Sequence, residues 1–352
     1  MAFWKPNNLV GLDIGSHSVK IVELKHHKNG FELKHFGVAQ LPPEAIVDGV
    51  IMDSAVVVES IRNLVANLKL KNKNVATSVS GHSLIIKKIQ LPLMTEAELE
   101  DQIQWEAEQY IPFEIDEVNI DFQILGPLLD EEGQMEVLLV AVKKDIINDY
   151  TAVIAEAGLV PQVVDVDAFC LENIFEVTCP EYLDKTVVLI DVGASIMNIN
   201  VLKNGVSTFT RDITVGGSNF TEEIQKELGV GYEEAEVLKL GGRSDRAGPA
   251  DVLDVLRLTT ENLVLEMQRS LDFFSATSAE EEIHRIFLSG GSCRVPGLAM
   301  AVEEKVGIPV EILSPFRGVH APDKLFDPDY LEAIGPVAAV AAGLALRRTD
   351  ER

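Results

Sequence analysis

The stretch LVGLDIGSHSVKIV, residues 9–22, decides the fold. In it an apolar strand ends at Asp13 and Gly15, small polar residues follow, and a second apolar strand leaves. The same design returns 178 positions later (191 − 13) in VVLIDVGASIMNINVL, residues 187–202. Both stretches predict a β-hairpin whose tight turn requires glycine at positive φ. The turn exposes backbone N–H groups, and together these groups make an anion-binding site.

A carboxylate stands beside each predicted turn, at Asp13 and Asp191. It does not bind phosphate directly, because like charges repel. It can instead hold the water shell of a Mg²⁺ ion that bridges phosphate oxygens. A single copy of this pattern also fits an ordinary turn, but the duplication favours a nucleotide clamp with magnesium held through water by both aspartates.

A third element, IFLSGGSCRVPGL, occupies residues 286–298. Here an apolar strand runs into Gly290 and Gly291, and a helix is predicted after Pro296. The two glycines allow a flat ring or a ribose to approach the backbone closely. An ordinary strand-to-helix turn would contain the same residues, so this element gains its meaning from the other two.

With these three motifs in this order, the chain resembles the actin-like ATPase superfamily, which includes actin, sugar kinases, Hsp70 chaperones and FtsA. The motifs correspond to that superfamily's phosphate 1, phosphate 2 and adenosine motifs. Residues 11–24, 91–125 and 164–173 also resemble the PilM family of type IV pilus assembly. The resemblance implies an α/β, actin-like ATPase fold in which two domains, each a mixed sheet with helices, surround an interdomain nucleotide cleft. ATP or ADP and Mg²⁺ are the implied cofactors.

The resemblance also implies an FtsA-type inserted α+β subdomain. The implied division is subdomain 1A at 1–84, the inserted subdomain 1C at 85–160, the rest of 1A at 161–186, subdomain 2A at 187–213, subdomain 2B at 214–275, the rest of 2A at 276–335 and a C-terminal helix returning to 1A at 336–352. Pattern alone predicts the same insert: a capping-box helix from Thr95 to about Tyr110, strands near 117–126 and 135–143 around a turn at 130–133, and a helix at 144–157.

The three motifs and a predicted helix near 232 supply the candidate nucleotide contacts. They are Gly15, Ser16, His17, Ser18, Lys20, Gly193, Ala194, Ser195, Gly216, Gly217, Glu236, Lys239, Gly290, Gly291 and Ser292. Lys20 also fits a solvated edge lysine, and His17 an exposed turn residue. Glu236 and Lys239, three apart on one helix face, fit ribose and adenine contacts by resemblance or an exposed ion pair. The Gly216–Gly217 pair fits a ligand contact or a simple turn.

Asp167 joins Asp13 and Asp191 as a candidate catalytic residue. By resemblance it lies at the start of the helix that connects the domains, where actin-like enzymes place a residue that orients the attacking water. A helix N-cap would explain Asp167 equally well. The second motif departs from the superfamily, because Met197 and Asn198 stand where Thr or Ser is usual. We therefore expect slow or partner-dependent hydrolysis.

Composition narrows the class of protein. The chain has 352 residues and a formal net charge of −26, which disfavours nucleic-acid and anionic-membrane binding. The three cysteines, Cys170, Cys179 and Cys293, follow no metal or disulfide pattern and fit a reduced cytosol. No secretory signal or membrane-spanning run is expected, although Phe3 and Trp4 could touch an interface or cover a sheet.

The resemblance implies a partner. PilM proteins are cytoplasmic, peripheral to the inner membrane, and bind the N-terminal cytosolic tail of the inner-membrane protein PilN, linking it to the pilus motor ATPases. A groove at the inserted subdomain, lined by the helix at 95–110 and the strands at 117–126, would accept the tail, with Leu99, Ile103 and Trp105 as apolar lining or as the insert's own core. A sugar kinase, an FtsA-like polymer and a type II secretion component are the alternatives, and self-association is left open.

Overall fold

This computed structural model describes residues 8–27, 30–128, 131–278 and 282–349. Phe3, Trp4 and the start of the predicted turn at 130–133 therefore lie outside the described residues. Within these ranges, no helix combines the length and the apolar character that crossing a membrane requires.

Strands alternate with helices along the chain, as an α/β fold requires. The strands are β1 (Val10–Ile14), β2 (Ser18–His27), β3 (Gly30–Gln40), β4 (Ile46–Val47), β5 (Val50–Ile51), β6 (Asn74–Val79), β7 (Leu84–Pro92), β8 (Val118–Pro127), β9 (Gln134–Lys143), β10 (Val160–Val166), β11 (Thr186–Val192), β12 (Met197–Lys203), β13 (Val206–Ile213), β14 (Arg285–Ser289) and β15 (Val310–Ile312).

Local signals begin and end several of the helices. The helices are α1 (Ser54–Asn67), α2 (Glu96–Ala107), α3 (Lys144–Glu156), α4 (Asp167–Thr178), α5 (Gly217–Leu228), α6 (Tyr232–Lys239), α7 (Pro249–Thr277), α8 (Leu298–Val306), α9 (Pro328–Ile334) and α10 (Ala339–Leu344). The predicted capping box of α2 is present, since Thr95 and Glu98 each accept the other's backbone N–H. Gly229, in the left-handed conformation, ends α5.

Two five-stranded sheets share one topology. The first has the order β10-β6-β1-β2-β3 and the second the order β13-β12-β11-β14-β15. In each sheet a three-stranded antiparallel meander is extended by two parallel strands. We call the part built on the first sheet the first half and the part built on the second sheet the second half. The predicted duplication of the hairpin is thus a duplication of the whole sheet.

A third sheet, of order β7-β9-β8, interrupts the first half and is wholly antiparallel. Helix α2 packs on it through Leu99, Ile103 and Ala107, in a core that includes Met135 and Leu139. This unit is an α+β insert of the predicted kind. It is continuous with the first half at two points, through β7 and through α3.

The chain crosses between the halves and then returns. Helix α4 leaves β10 of the first half, and its Phe175 packs edge-on against Phe287 of β14 at 5.0 Å between ring centroids. Helix α10 lies on β1 and α4, where a Cβ on Gly11 would stand 1.9 Å from the Ala341 carbonyl oxygen. Only glycine permits this approach. The terminal segment thereby joins the second half to the first sheet.

The last helix differs from the single C-terminal helix expected over residues 336–352. A 3₁₀ turn occupies Gly335–Ala338, and α10 ends at Leu344. Beyond it Arg347 lies 3.2 Å from the Asp165 carboxylate, and Arg348 forms a β-bridge with Asn8. These contacts with the first half take the final residues out of the helix.

Substituting Gly11 with alanine tests the packing of α10 on β1. We expect the variant to lose about 3 kcal/mol or more of unfolding free energy. The added methyl group would collide with backbone atoms of α10, and no side-chain rearrangement can relieve that collision. Gly231→Ala is the control, since Gly231 is exposed, has ordinary φ and leaves open space within 4 Å of the position that a Cβ would take. Thermal unfolding measures both, and equal melting temperatures would contradict the close packing.

Candidate functional site

The two hairpin turns are built alike. The Gly15 N–H donates to the Ser18 carbonyl at 3.1 Å, and the Gly193 N–H donates to the Ile196 carbonyl at 3.0 Å. In the strands that enter them, Asp13 pairs with Lys20 and Asp191 pairs with Asn198. Equivalent positions therefore place one carboxylate beside each turn, opposite a lysine in the first half and an asparagine in the second.

The prediction that these turns need glycine at positive φ is wrong. Neither Gly15 nor Gly193 is among the positive-φ residues of the described chain. Glycine is required instead because the backbone of the turn packs closely: a Cβ on Gly193 would stand 2.7 Å from the Ile196 carbonyl oxygen. On Gly15 it would stand 3.0 Å from the Lys20 Nζ atom.

One cavity of about 360 Å³ lies between the turns. Both hairpins, the strand-to-helix loop after β14 and helix α6 line it. It brings together Asp13, Gly15, Ser16, His17, Ser18, Lys20, Asp167, Asp191, Gly193, Ala194, Ser195, Glu236, Lys239, Gly290, Gly291 and Ser292. All of these are predicted site residues. That they bind a nucleotide remains a prediction.

Gly216 and Gly217 are the two predicted positions that do not line the cavity. They lie behind the second turn, where the Gly217 N–H donates to the Gly193 carbonyl at 2.9 Å. A Cβ on Gly216 would stand 2.5 Å from the Ala194 carbonyl oxygen, and one on Gly217 would stand 2.3 Å from the Ser292 Oγ atom. Both glycines thus support the turn from behind and allow the third motif to approach it.

Burial and mutual repulsion raise the pKa of two carboxyl groups in the cavity. Asp167 accepts a hydrogen bond from the Ser78 hydroxyl at 2.6 Å, yet burial and the nearby Asp13 raise its pKa to about 7. Asp191 accepts one from the Ser289 hydroxyl at 2.7 Å, and burial raises its pKa to about 6. The site thus concentrates negative charge that the protein compensates incompletely.

Lys20 supplies positive charge at this end of the cavity. Its Nζ atom lies 3.1 Å from the Asp13 carboxylate, and only 13% of its side chain is exposed. The alternative of a solvated edge lysine is therefore wrong. So is the alternative that Asp167 caps its helix, since Val166 is the N-cap of α4 and no side chain caps that end.

The carboxylates suit a hydrated magnesium ion. Within the described ranges, no cluster of three or more His, Cys, Asp or Glu side chains is close enough to hold a metal directly. Asp13 and Asp191 flank the cavity from opposite halves, and carboxylate oxygens are ligands that Mg²⁺ and its waters prefer. A divalent cation would favour the charged forms of Asp167 and Asp191, which burial and the nearby Asp13 disfavour.

His17 and helix α6 meet across the cavity. The His17 Nδ1 atom lies 3.1 Å from the Tyr232 hydroxyl, and its Nε2 atom lies 4.0 Å from the Glu236 carboxylate. Its side chain is 29% exposed, so the expected exposed turn residue is instead a contact between the halves. Burial lowers the pKa of His17, although Glu236 opposes that shift.

Glu236 and Lys239 form a buried ion pair rather than an exposed one. The Lys239 Nζ atom lies 2.6 Å from the Glu236 Oε1 atom and 3.0 Å from the Thr221 hydroxyl, and Lys239 is 7% exposed. Burial lowers the pKa of Lys239 while Glu236 raises it. The pair lines the cavity, which is where the resemblance places contacts with ribose and adenine.

Sequence reasoning missed several lining residues. Ser78, Ser80 and Tyr150 belong to none of the three motifs, and Arg294 lies within the third motif but was not singled out. For Ser78 a signal exists, since the register of β1 with β6, continued by two residues, sets it beside Asp13 as Ser289 stands beside Asp191. The duplication could therefore have identified it.

Met197 and Asn198, which stand where the superfamily usually has Thr or Ser, lie in different environments. Met197 is fully buried in the core of the second half. Asn198 lines the cavity and donates a hydrogen bond to Asp212. No hydroxyl therefore stands at these two positions.

Comparison with known proteins settles the family. A family model described as type IV pilus assembly protein PilM matches residues 11–349. The chain belongs to the PilM family. A solved PilM-PilN type IV pilus biogenesis complex contains a chain 30% identical to this one, with a TM-score of 0.87 over 98% of this chain and 99% of that one.

More distant proteins share the architecture. Cell division protein FtsA of Bacillus subtilis (strain 168) is 24% identical over 376 residues, covering 93% of this chain and 82% of FtsA. MreB 5 of Spiroplasma citri, solved with AMPPNP, is 13% identical over 95% of this chain and 94% of its own, with a TM-score of 0.51. The predictions of the PilM family and of an actin-like ATPase fold are confirmed. The chain is an actin-like protein of type IV pilus assembly.

The predicted tail-binding residues of this PilM-family chain separate into two groups. Leu99 and Ile103 are buried in the insert's own core, so their prediction as groove lining is wrong. Trp105, on the same helix, is 80% exposed. Trp105 therefore stays a candidate for partner contact.

Replacing Asp167 with asparagine tests the charge in the cavity. A carboxyl whose folded pKa of about 7 exceeds its unfolded value of about 3.9 stabilises the fold at low pH, and that contribution is lost as the pH rises through 7. We expect Asp167→Asn to be about 1–3 kcal/mol more stable than wild type at pH 8, with the difference shrinking towards pH 4.

Urea unfolding between pH 4 and pH 8 measures this difference. Asp254→Asn makes the same charge change at an exposed position of α7 and is the control. An Asp167→Asn variant that is destabilised equally at every pH would contradict the assigned charge state.

Proposed function

We propose that this chain is an ATP-binding adaptor of type IV pilus assembly. It binds ATP or ADP with Mg²⁺ between its halves and binds the N-terminal cytosolic tail of a PilN-like inner-membrane protein. Through that partner it lies at the inner membrane and connects the membrane platform to the pilus motor ATPases. The observation that carries the nucleotide part is the pair of identically closed turns, each with its carboxylate, lining one cavity.

In this proposal the residues of the cavity divide their tasks. Backbone N–H groups of the two turns donate hydrogen bonds to phosphate oxygens, and the hydroxyls of Ser16, Ser18 and Ser195 are further donors. Asp13 and Asp191 orient the waters of the magnesium ion, which when bound neutralises phosphate charge. The third motif, Gly290 to Ser292, takes the nucleoside, beside Glu236 and Lys239. MreB 5, which has the same fold, was solved with AMPPNP.

Hydrolysis is expected to be slow. Asp167 would align the attacking water, and its carboxyl already accepts a hydrogen bond from Ser78. With a pKa of about 7, it is partly protonated at neutral pH, which weakens it as a proton acceptor. Because positions 197 and 198 offer no hydroxyl, a partner that rearranges the site would be needed for faster turnover.

Substitution of Asp191 with alanine tests the nucleotide site. We expect Mg-ATP to bind at least tenfold more weakly, since the magnesium water shell loses one of its two anchors, about 1.4 kcal/mol or more. Asp13→Ala should behave likewise. Titration calorimetry with and without EDTA measures the affinity, and chelation should weaken binding by wild type more than binding by Asp191→Ala.

Asp254→Ala is the matched control, because Asp254 is exposed on α7 and is not among the residues that line the cavity. It should bind Mg-ATP as wild type does. Unchanged affinity in folded Asp13→Ala and Asp191→Ala proteins would overturn the two-carboxylate clamp.

The partner part of the proposal is supported by the PilM-PilN complex and by the surface of the insert. That complex matches this chain over nearly its whole length. On the insert, Leu93 and Trp105 are exposed large apolar side chains, and β8 is an edge strand of the three-stranded sheet. An extended tail could add to such an edge while an apolar side chain of the tail covers Trp105.

Trp105→Ala tests the tail site. We expect it to weaken binding of a synthetic N-terminal tail peptide, taken from the PilN-like protein of the same organism, by about tenfold or more, as loss of an aromatic anchor does. Leu258→Ala, at an exposed leucine of α7, is the control and should bind normally. Fluorescence anisotropy measures both, and equal affinities would place the tail elsewhere.

An FtsA-like polymer is the alternative that remains. An FtsA-like polymer would form filaments in the presence of ATP, and these would be found by sedimentation. An adaptor need not form filaments. The similarity to FtsA of Bacillus subtilis, at 24% identity, supports the shared fold without deciding between them.

A further inference from the structure

Asp212, at the end of β13, joins the two halves. One carboxylate oxygen accepts the backbone N–H of Gly81 from the first half, and the other accepts the side-chain amide of Asn198 from the second. Beside it, the Thr214 hydroxyl contacts the His82 ring across the same boundary. We call Gly81, Asn198 and Asp212 the clasp.

Each end of the clasp reaches a different functional region. Asn198 and its neighbour Ile196 line the cavity, and the side-chain oxygen of Asn198 has no hydrogen-bond partner within the described residues. At the other end, the Gly81 carbonyl accepts the Leu84 N–H at 3.1 Å, where β7 of the insert begins. A continuous series of hydrogen bonds therefore runs from the cavity to the inserted sheet.

The clasp is built on a carboxylate that accepts hydrogen bonds from both halves. A carboxylate accepts from two donors at once, and charge-assisted hydrogen bonds are stronger and shorter than neutral ones. Gly81 has a φ of +91°, and a Cβ there would stand 2.9 Å from the Ile196 Cδ1 atom. The position of Gly81 is thus tied both to Asp212 and to the second turn.

We propose that the clasp couples the cavity to the insert, so that a ligand which moves Asn198 moves the start of β7, and a partner on the insert changes the cavity in return. Asp212 acts as a positioning residue in this coupling. That the ligand is a Mg-nucleotide rests on the proposed function, whereas the clasp's hold on Gly81 does not.

A second carboxylate on the same boundary supplies a matched control. Glu172 of α4 accepts hydrogen bonds from the Ser207 hydroxyl and N–H of β13. Like Asp212 it joins the halves through β13, but its partner Ser207 lies five residues before Asp212 on that strand (212 − 207), and Glu172 is not among the residues that line the cavity. Loosening the boundary there should leave the clasp intact.

Hydrogen–deuterium exchange of the full chain without ligand tests the hold on Gly81. Asp212→Ala should raise amide exchange in a peptide covering residues 81–92 by about tenfold or more, because an N–H that donates to a charged group loses its partner. Asp212→Asn, which keeps the shape and one acceptor, should give a smaller rise. Glu172→Ala should leave this segment unchanged. Equal exchange in wild type and both folded Asp212 variants would overturn the clasp.

Adding Mg-AMPPNP tests the coupling itself. In wild type and Glu172→Ala we expect slower exchange both at residues 13–20 and 191–198 and at 81–92. In the Asp212 variants the first two segments should still respond, while the response at 81–92 is lost. A response at 81–92 that survives in folded Asp212→Ala would overturn the coupling. If wild type binds no AMPPNP, the proposed nucleotide function fails and the coupling with it, whereas the ligand-free comparison still decides the clasp.

Discussion

A backbone hydrogen bond from a glycine N–H to a carbonyl three residues later closes both hairpin turns, and the cavity depends on it. The bond requires the chain to fold back so tightly that Gly193 leaves no room for a side chain. The turn in each half then presents its backbone to the space between them. Because the strands are paired in register, Asp13 and Asp191 take equivalent places beside that space.

The charged side chains in the cavity determine what it can bind. Asp13, Asp167 and Asp191 reach the phosphate-motif end of the cavity from different elements, and Lys20 lies close to Asp13. Burial, with a smaller contribution from the nearby Asp13, raises the pKa values of Asp167 and Asp191, so holding these groups charged in the cavity costs free energy. Proteins accept such a cost at binding sites, where a cation relieves it. The chain thus loses stability at neutral pH where the proposed magnesium nucleotide would restore it.

The sequence patterns correctly predicted the features that depend on residues close together in the chain. The hairpins, the capping box of α2 and the glycine pair after β14 follow from residues close together in the sequence. Burial of Lys20 and the place of Gly216 behind a turn depend on elements that meet only in the folded chain. Predicting Ser78 as a site residue would have required the pairing of two parallel strands. Predicting the clasp at Asp212 would have required the contact between the halves.

The central claim is that both turns bind one nucleotide together. A crystal structure of the full chain with Mg-AMPPNP tests it most directly. It should show phosphate oxygens against backbone N–H groups of both turns, with the magnesium waters reaching Asp13 and Asp191. A nucleotide bound outside the cavity, or phosphates that contact one turn alone, would contradict the account.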